Sequence, residues 1–267
     1  LRARLFDLEV KRREAETQNR ESQKMDIAFG SQIRSYVLQP YRMVKDHRTD
    51  HEMGNYERFL GRDLGPEDYM TSGMIYKSVI EKERTLEYGG KCVEAVPHVR
   101  DEIVARFKKA AALAKSDVTV VEIGGTIGDF QNALFIDAAR VMHLTNPSDV
   151  LFVMVSYMPV PNTIGEMKTK PTQNAVRQLN AYGVQPDVLV ARAPMPLDNK
   201  RKEKLAISVN VPADHIISAP DVDSIYDVPL NFERDKLSDI LLNALGKKPK
   251  QSADLHNWKT FAERTHN

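Results

Sequence analysis

Glu122 is the residue best placed to hold a hard cation. It ends the run Asp117-Val-Thr-Val-Val-Glu122 and is followed at once by Ile-Gly-Gly-Thr-Ile-Gly-Asp129. Val118–Val121 is β-branched throughout, which suits a strand buried on both faces. A carboxylate at the end of such a strand is not meant for an apolar core. Gly124, Gly125 and Gly128 let the backbone turn tightly and approach a ligand. Mg²⁺ takes one or two carboxylates of this kind together with substrate phosphates. The plain alternative is a glycine-rich turn with a solvated Glu and Asp, and these residues alone do not choose between the two.

A second stretch, Gly165-Glu-Met-Lys168-Thr-Lys170-Pro-Thr172-Gln173, collects cations, hydroxyls and a helix start. Pro171 and Thr172 open a helix through Val176, Leu179 and Tyr182, and Gly183 stops it. Free amide groups at a helix N-terminus, with lysines beside them, suit phosphate. A capped surface helix with two solvated lysines has the same sequence. Lys200-Arg-Lys-Glu-Lys204 adds a basic cluster, and Asp221-Val-Asp223-Ser-Ile-Tyr-Asp-Val-Pro229 adds a turn-rich acidic loop that either reads a ligand or caps its own turns.

These stretches need a scaffold, and the pattern supplies one. Thr71-Ser72 caps a helix with Ile75, Tyr76, Val79 and Ile80 on one face. Cys92–Val96 alternates like a strand. A helix from Arg100 to Lys115 buries Ile103, Val104, Phe107 and Leu113. Strands follow at Val118–Val121, Val150–Val155, Val188–Ala191 and Ile216–Ile217, with a helix at Ala133–Met142 and others between. Such alternation predicts an α/β fold, a largely parallel sheet with helices on both faces. Ligands then sit at the carboxyl ends of the strands.

The first fifty-odd residues differ. Leu1–Lys24 is a charged segment with Leu1, Leu5 and Leu8 on one helical face. Gln32–Leu38 reads as a strand closed by Pro40, and Met43–Asp50 as a polar loop.

Composition sets the outer limits. The 267 residues carry a net charge of +1, which argues against nucleic acid or an anionic membrane as partner. Cys92 is the one cysteine, so an internal disulfide framework and a cysteine zinc cluster are excluded. No apolar run reaches membrane-spanning length and Leu1-Arg-Ala-Arg is no signal peptide, so the expectation is cytoplasmic. The first residue is not Met, which suggests a fragment.

Two resemblances follow. Ser31-Gln-Ile-Arg-Ser-Tyr-Val-Leu-Gln-Pro-Tyr-Arg-Met-Val-Lys-Asp-His-Arg-Thr-Asp-His-Glu-Met-Gly-Asn55 resembles the C-terminal part of bacterial peptide chain release factor 2, without that family's Gly-Gly-Gln tripeptide. From Tyr56 to Leu245 the chain resembles the amidoligase domain of the CTP synthase family. The segments Tyr56-Glu-Arg-Phe, Tyr76-Lys-Ser-Val-Ile-Glu-Lys-Glu-Arg84, Val96-Pro-His98, Glu122–Asp129, Glu166–Gln173, Gln185-Pro-Asp187 and Asp221-Val-Asp-Ser-Ile-Tyr226 match it in order. The expected domains are thus a release-factor-like segment, 1–55, and a partial amidoligase domain, 56–267.

The second resemblance implies a P-loop NTPase-like fold and the ATP-dependent amination of UTP to CTP. ATP phosphorylates the uracil 4-oxygen, and ammonia from a glutaminase domain displaces that phosphate. It implies Mg²⁺, ATP as co-substrate and a homotetramer. Glu122 matches the Mg²⁺ carboxylate. Asp129, Phe130 and Gln131 match the loop that binds CTP as inhibitor, although the family often has Glu at the place of Gln131. Lys168, Thr169, Lys170, Pro171, Thr172 and Gln173, with Lys204, match the pyrimidine-nucleotide site. Pro220, Asp221 and Val222 match the loop beside the ATP adenine, where a lysine is common in place of Pro220.

The sequence contains no Gly-x-x-x-x-Gly-Lys-Ser/Thr pattern or relative of it. The family's phosphate loop, first strand and glutaminase domain have no counterpart here, and Glu52 falls in the column of its second metal carboxylate. The expectation is a domain inactive as written, with an N-terminal helix and hairpin lying outside the core. The alternatives are a release-factor remnant and a non-catalytic nucleotide-binding or oligomerisation module.

Overall fold

The computed structural model describes residues 34–37, 43–46, 51–54, 59–60, 62–161, 165–248 and 255–264. The chain divides into two units, Leu1–Tyr69 and Met70–Asn267. The expected helix at Leu1–Lys24 lies outside the described residues.

In the first unit, β1 (Arg34–Val37), β2 (Met43–Asp46) and β3 (His51–Gly54) form an antiparallel sheet in that order. Tyr36 stands opposite Val44, and Val44 opposite Met53. The expected strand at Gln32–Leu38 is present in its middle. Met43–Asp46, expected as polar loop, is instead the central strand. Polar residues did not prevent this, because an antiparallel ladder supplies the hydrogen bonds and one sheet face can remain in water. Glu52 lies in β3. Beyond it, the two terminal guanidinium nitrogens of Arg62 donate to Asp68, at 2.8 and 2.6 Å, and the Gly65 amide adds a third bond at 2.8 Å.

The second unit begins with α1 (Ser72–Arg84), where the Thr71 hydroxyl accepts from the Met74 amide at 3.3 Å, as a cap should. Ile75 and Val79 are buried, whereas Tyr76 and Ile80 on the flank of the same stripe remain exposed. α2 (Arg100–Ala114) and α3 (Ala133–Thr145) complete an apolar cluster of Ile75, Val79, Val99, Ile103, Phe107 and Ala138. Buried Glu102 bridges the helices, accepting from Lys82 at 2.6 Å and from Arg106 at 2.9 Å. Burial pushes its carboxyl up, but those hydrogen bonds outweigh it and the net shift is downward. Leu113, expected in the core, is exposed in the last turn of α2. Cys92–Val96 forms no strand: Ala95–Val99 is a helical turn, and the Glu94 amide donates to His98 Nδ1 at 3.0 Å. Pro97 has no amide to give a ladder.

The sheet of this unit is parallel, in the order β4 (Val153–Tyr157), β5 (Val188–Ala193), β6 (Ile216–Pro220). Val155 stands beside Val190, and Val190 beside Ile217. Successive side chains alternate between faces. Met154, Leu189, Ala191, Ala193 and Ile216 meet α4 (Lys170–Ala181) and α5 (Asn199–Val209). Val188, Val190 and Ile217 meet α6 (Val228–Arg234) and α7 (Leu237–Ala244) through Phe232, Leu237, Ile240 and Leu241. β5 and β6 are therefore covered on both faces, as the apolar runs require. Strand β4 begins three residues later than the sequence suggests, after a turn at Pro147–Asp149. Its second face is uncovered: Val153, Val155 and Tyr157 are all exposed.

The expected strand Val118–Val121 is not formed, and its residues are exposed, Val120 at 92%. The sheet stops at β4, and among the described residues no ladder reaches this run. β-branched residues favour a pleated, half-buried surface, not the strand conformation in isolation. Without a neighbour the run stays irregular.

Finally α8 (His256–Arg264) packs by Trp258 and Phe261 against Tyr226, with Trp258 Nε1 donating to the Tyr226 carbonyl at 2.8 Å.

Candidate nucleotide site

The glycine turn folds on itself before it meets anything else. Gly125 and Gly128 have φ of +90° and +99°, values that side chains disfavour. Asp129 Oδ2 accepts from the Thr126 amide at 3.0 Å and from Gln131 Nε2 at 3.4 Å. Asn132 Nδ2 donates to the Thr126 carbonyl at 2.8 Å. Thr126 is thus held at both its amide and its carbonyl. Phe130 projects outward, 93% exposed, with Gln131 exposed beside it.

The turn is seated against α4. A Cβ on Gly128 would lie 2.9 Å from Gln178 Nε2. Ile123 and Ile127 pack on the same core as Met167, Val176 and Leu179. Glu122 is exposed at the head of this turn. Glu122–Gln131 and Gly165–Gln173, distant in sequence, are therefore carried by elements in direct contact.

At the start of α4 the expected residues divide into two groups. Lys168, half-buried, donates from Nζ to Glu166 at 2.8 Å, and its amide donates to the Pro159 carbonyl at 2.9 Å. This ion pair holds the Glu166 carboxyl below its usual range, and Lys204 and Arg201 of α5 act in the same direction through space. Lys168 and Lys204 thus both bear on one carboxylate, although they stand on different elements. Lys170 and Pro171 are exposed. Thr172 and Gln173 are buried. The Thr172 hydroxyl meets Ser156 Oγ of β4 at 2.9 Å, and Gln173 Nε2 donates to Thr169 Oγ1 at 3.2 Å. Thr172 ties α4 to the sheet, and Gln173 locks the turn that carries Lys168 and Lys170.

Pro220, Asp221 and Val222 lie at the carboxyl end of β6 and just beyond it. The Asp221 amide donates to the Ala193 carbonyl at 2.8 Å, and its carboxylate accepts from Arg192 at 3.2 Å. The ends of β5 and β6 are thereby joined where a ligand of a parallel sheet is expected.

Several residues of this site escaped the sequence reading. Asn132, Gln178, Ser156 and Arg192 were given no role there. Glu166 was part of a matched motif but carried no assigned role. A polar residue directly after a glycine turn was the available signal for Asn132.

Among the described residues no three His, Cys, Asp or Glu side chains converge as a metal cage. The donor chemistry does not suit zinc. An exposed carboxylate at the head of the turn, Glu122, fits Mg²⁺ held largely by substrate phosphates and water. A separate cavity of about 220 Å³, lined by Val104, Lys108, Met142 and Asp149, opens between α2 and the far end of α3.

Comparison with known proteins gives the family. The sequence model of the family described as CTP synthase N-terminus matches residues 40–247. That match takes in β2 and β3 of the first unit and ends before α8. A protein named CTP synthase from Pyrobaculum calidifontis is 44% identical over 216 residues, 81% of this chain and 40% of that protein. One from Thermococcus gammatolerans is 43% identical over 217 residues, again 81% and 40%. One from Methanothermobacter thermautotrophicus is 38% identical over 236 residues, 86% and 44%. The chain spans about two fifths of the length of these curated relatives.

Proposed function

This chain belongs to the CTP synthase N-terminus family, and on that premise we propose that it provides the pyrimidine-nucleotide site of an ATP-dependent ligase that aminates UTP to CTP. The observation that carries the reading is the packing of Ile123 and Ile127 of the glycine turn on the core that Met167, Val176 and Leu179 build at α4. It puts the Asp129–Gln131 segment and the Lys168–Gln173 segment on one contiguous piece of structure.

In this reading Lys168, Lys170 and Lys204 neutralise the triphosphate. Lys168 leaves Glu166 for the phosphates, or shares it with them. Both that pair and Lys204 are open to solvent, so the exchange is not a costly one. Asp129 and Gln131, with the outward Phe130, meet the nucleotide from the side of the turn. The backbone at Pro220, Asp221 and Val222, fixed through Ala193 and Arg192, meets the adenine of ATP. Glu122 holds Mg²⁺, which when bound neutralises phosphate charge during phosphoryl transfer. Ammonia reaches the phosphorylated uracil from a glutaminase domain, and the working form is a homo-oligomer, a tetramer by resemblance.

The 267-residue polypeptide should bind UTP and CTP yet form no CTP from UTP, ATP, Mg²⁺ and ammonia. Its sequence has no phosphate-loop pattern to position the γ-phosphate. Isothermal titration with each nucleotide and a turnover assay test both halves. Failure to bind either pyrimidine nucleotide would overturn the reading, and CTP formation would overturn the claim of inactivity.

A further inference from the structure

We propose that Asn132 is a positioning residue, whose side-chain amide closes the Gly124–Asp129 turn and thereby sets where Asp129, Phe130 and Gln131 stand. The proposal rests on the reading that this turn takes a pyrimidine nucleotide.

Asn132 occupies the N-cap position of α3, where an Asn side chain normally accepts from a helix amide. Here it makes no cap bond. The amide turns backward, and Nδ2 donates to the Thr126 carbonyl at 2.8 Å, with the Gly124 carbonyl at 3.5 Å. The side chain is 96% covered, being only 4% exposed, and its Oδ1 is buried without a hydrogen-bond partner. Rotating the amide would bring Oδ1 against two carbonyl oxygens, so the orientation is fixed by the turn itself. A cap bond forgone and a buried acceptor left unmatched are both unfavourable. The return is the order of the turn.

Neighbouring geometry shows how the groups of the turn lie together. A Cβ on Gly125 would stand 3.4 Å from Asn132 Nδ2 and 3.4 Å from Asp129 Oδ2. Asp129 Oδ2 holds the Thr126 amide at 3.0 Å while Asn132 holds the Thr126 carbonyl. The Asn132 backbone N–H in turn donates to the Asp129 carbonyl at 3.3 Å. Asp129 therefore stands inside a ring of hydrogen bonds that the Asn132 side chain closes at Thr126.

The test compares the full chain with Asn132→Ala and the near-isosteric Asn132→Asp, which replaces the donor by an acceptor facing two carbonyls. Amide hydrogen exchange across residues 124–131 should accelerate in both variants, while the amides of α4 and β5 keep their protection. UTP and CTP affinity should fall by roughly three- to tenfold, the range that loss of one neutral hydrogen bond corresponds to. Asn132→Asp carries the test alone if Asn132→Ala proves too unstable. Unchanged exchange in the turn overturns the proposal, and so does faster exchange with unaltered nucleotide affinity. A parent chain that binds neither nucleotide, but whose turn loosens in Asn132→Ala, supports the positioning role and sinks the nucleotide reading instead.

Discussion

Gly128 lies so near Gln178 that a Cβ on the glycine would stand 2.9 Å from the Gln178 side-chain nitrogen. Gln178 is exposed and its end can swing aside, so the cost of Gly128→Ala lies in the backbone, which would hold a side chain at a φ of +99°. The variant should lose about 1–3 kcal/mol. Adding Gln178→Ala should recover little of that loss in urea denaturation. Parent-like stability of Gly128→Ala would mean that the turn does not hold this positive φ in solution.

The buried hydroxyl pair Ser156–Thr172, 2.9 Å apart, fixes the first turn of α4 to β4. Ser156→Ala or Thr172→Val alone leaves a buried hydroxyl unmatched and should cost about 1–3 kcal/mol. The double variant should cost less than the sum of the singles, since neighbours that share a bond are not additive. A strictly additive cycle would rule out the pairing.

Lys170→Ala and Lys204→Ala should each weaken UTP binding by tenfold or more. A charge-assisted contact contributes roughly 1.5–3 kcal/mol, and about 1.4 kcal/mol is a factor of ten. The loss should shrink at high salt, because these groups are exposed and screened. Calorimetry that finds UTP affinity unchanged in both variants would remove these lysines from the site.

Glu122→Gln keeps the shape of the side chain and removes its charge. Nucleotide binding by the parent should strengthen when Mg²⁺ is added, and the variant should lose most of that dependence while retaining its fold by circular dichroism. An identical Mg²⁺ response in the two proteins would leave Glu122 as a residue of the turn only.

Asp68 gives a pH prediction. Hydrogen bonds from Arg62 come first among the causes that bring its carboxyl from 3.8 to about 2, assisted by the Gly65 amide and opposed by burial. The folded-state value is below the unfolded one. The stabilisation is therefore fully present above about pH 4 and is lost as pH falls through about 2. A carboxyl-detected NMR titration should place Asp68 near 2, and Arg62→Met should return it to the ordinary range. A parent titration near 3.8 would show that the pair does not form in solution.

Much of this arrangement is legible in the chain because its causes are local. Thr71 caps α1 three residues away, Gly183 with a φ of +77° ends α4, and the apolar run Val188–Ala191 is buried as β5. Each depends on side chains or backbone preferences within a turn or a strand. The types and spacing of Glu122, the glycines after it and Lys168–Gln173 likewise marked the candidate site before any coordinates. What each residue faces was decided only by tertiary structure. Val118–Val121 has the composition of a strand, but a strand needs a neighbour's amides and carbonyls, and among the described residues the sheet ends at β4. Thr172 looked like a phosphate-side hydroxyl, and the fold turned it inward to Ser156, sixteen positions earlier. Asn132 stands at the N-cap of α3, but its side chain is drawn back to Thr126. A hydrogen-bonding side chain announces that it will seek a partner, but which partner lies within 3 Å is fixed by how distant segments pack.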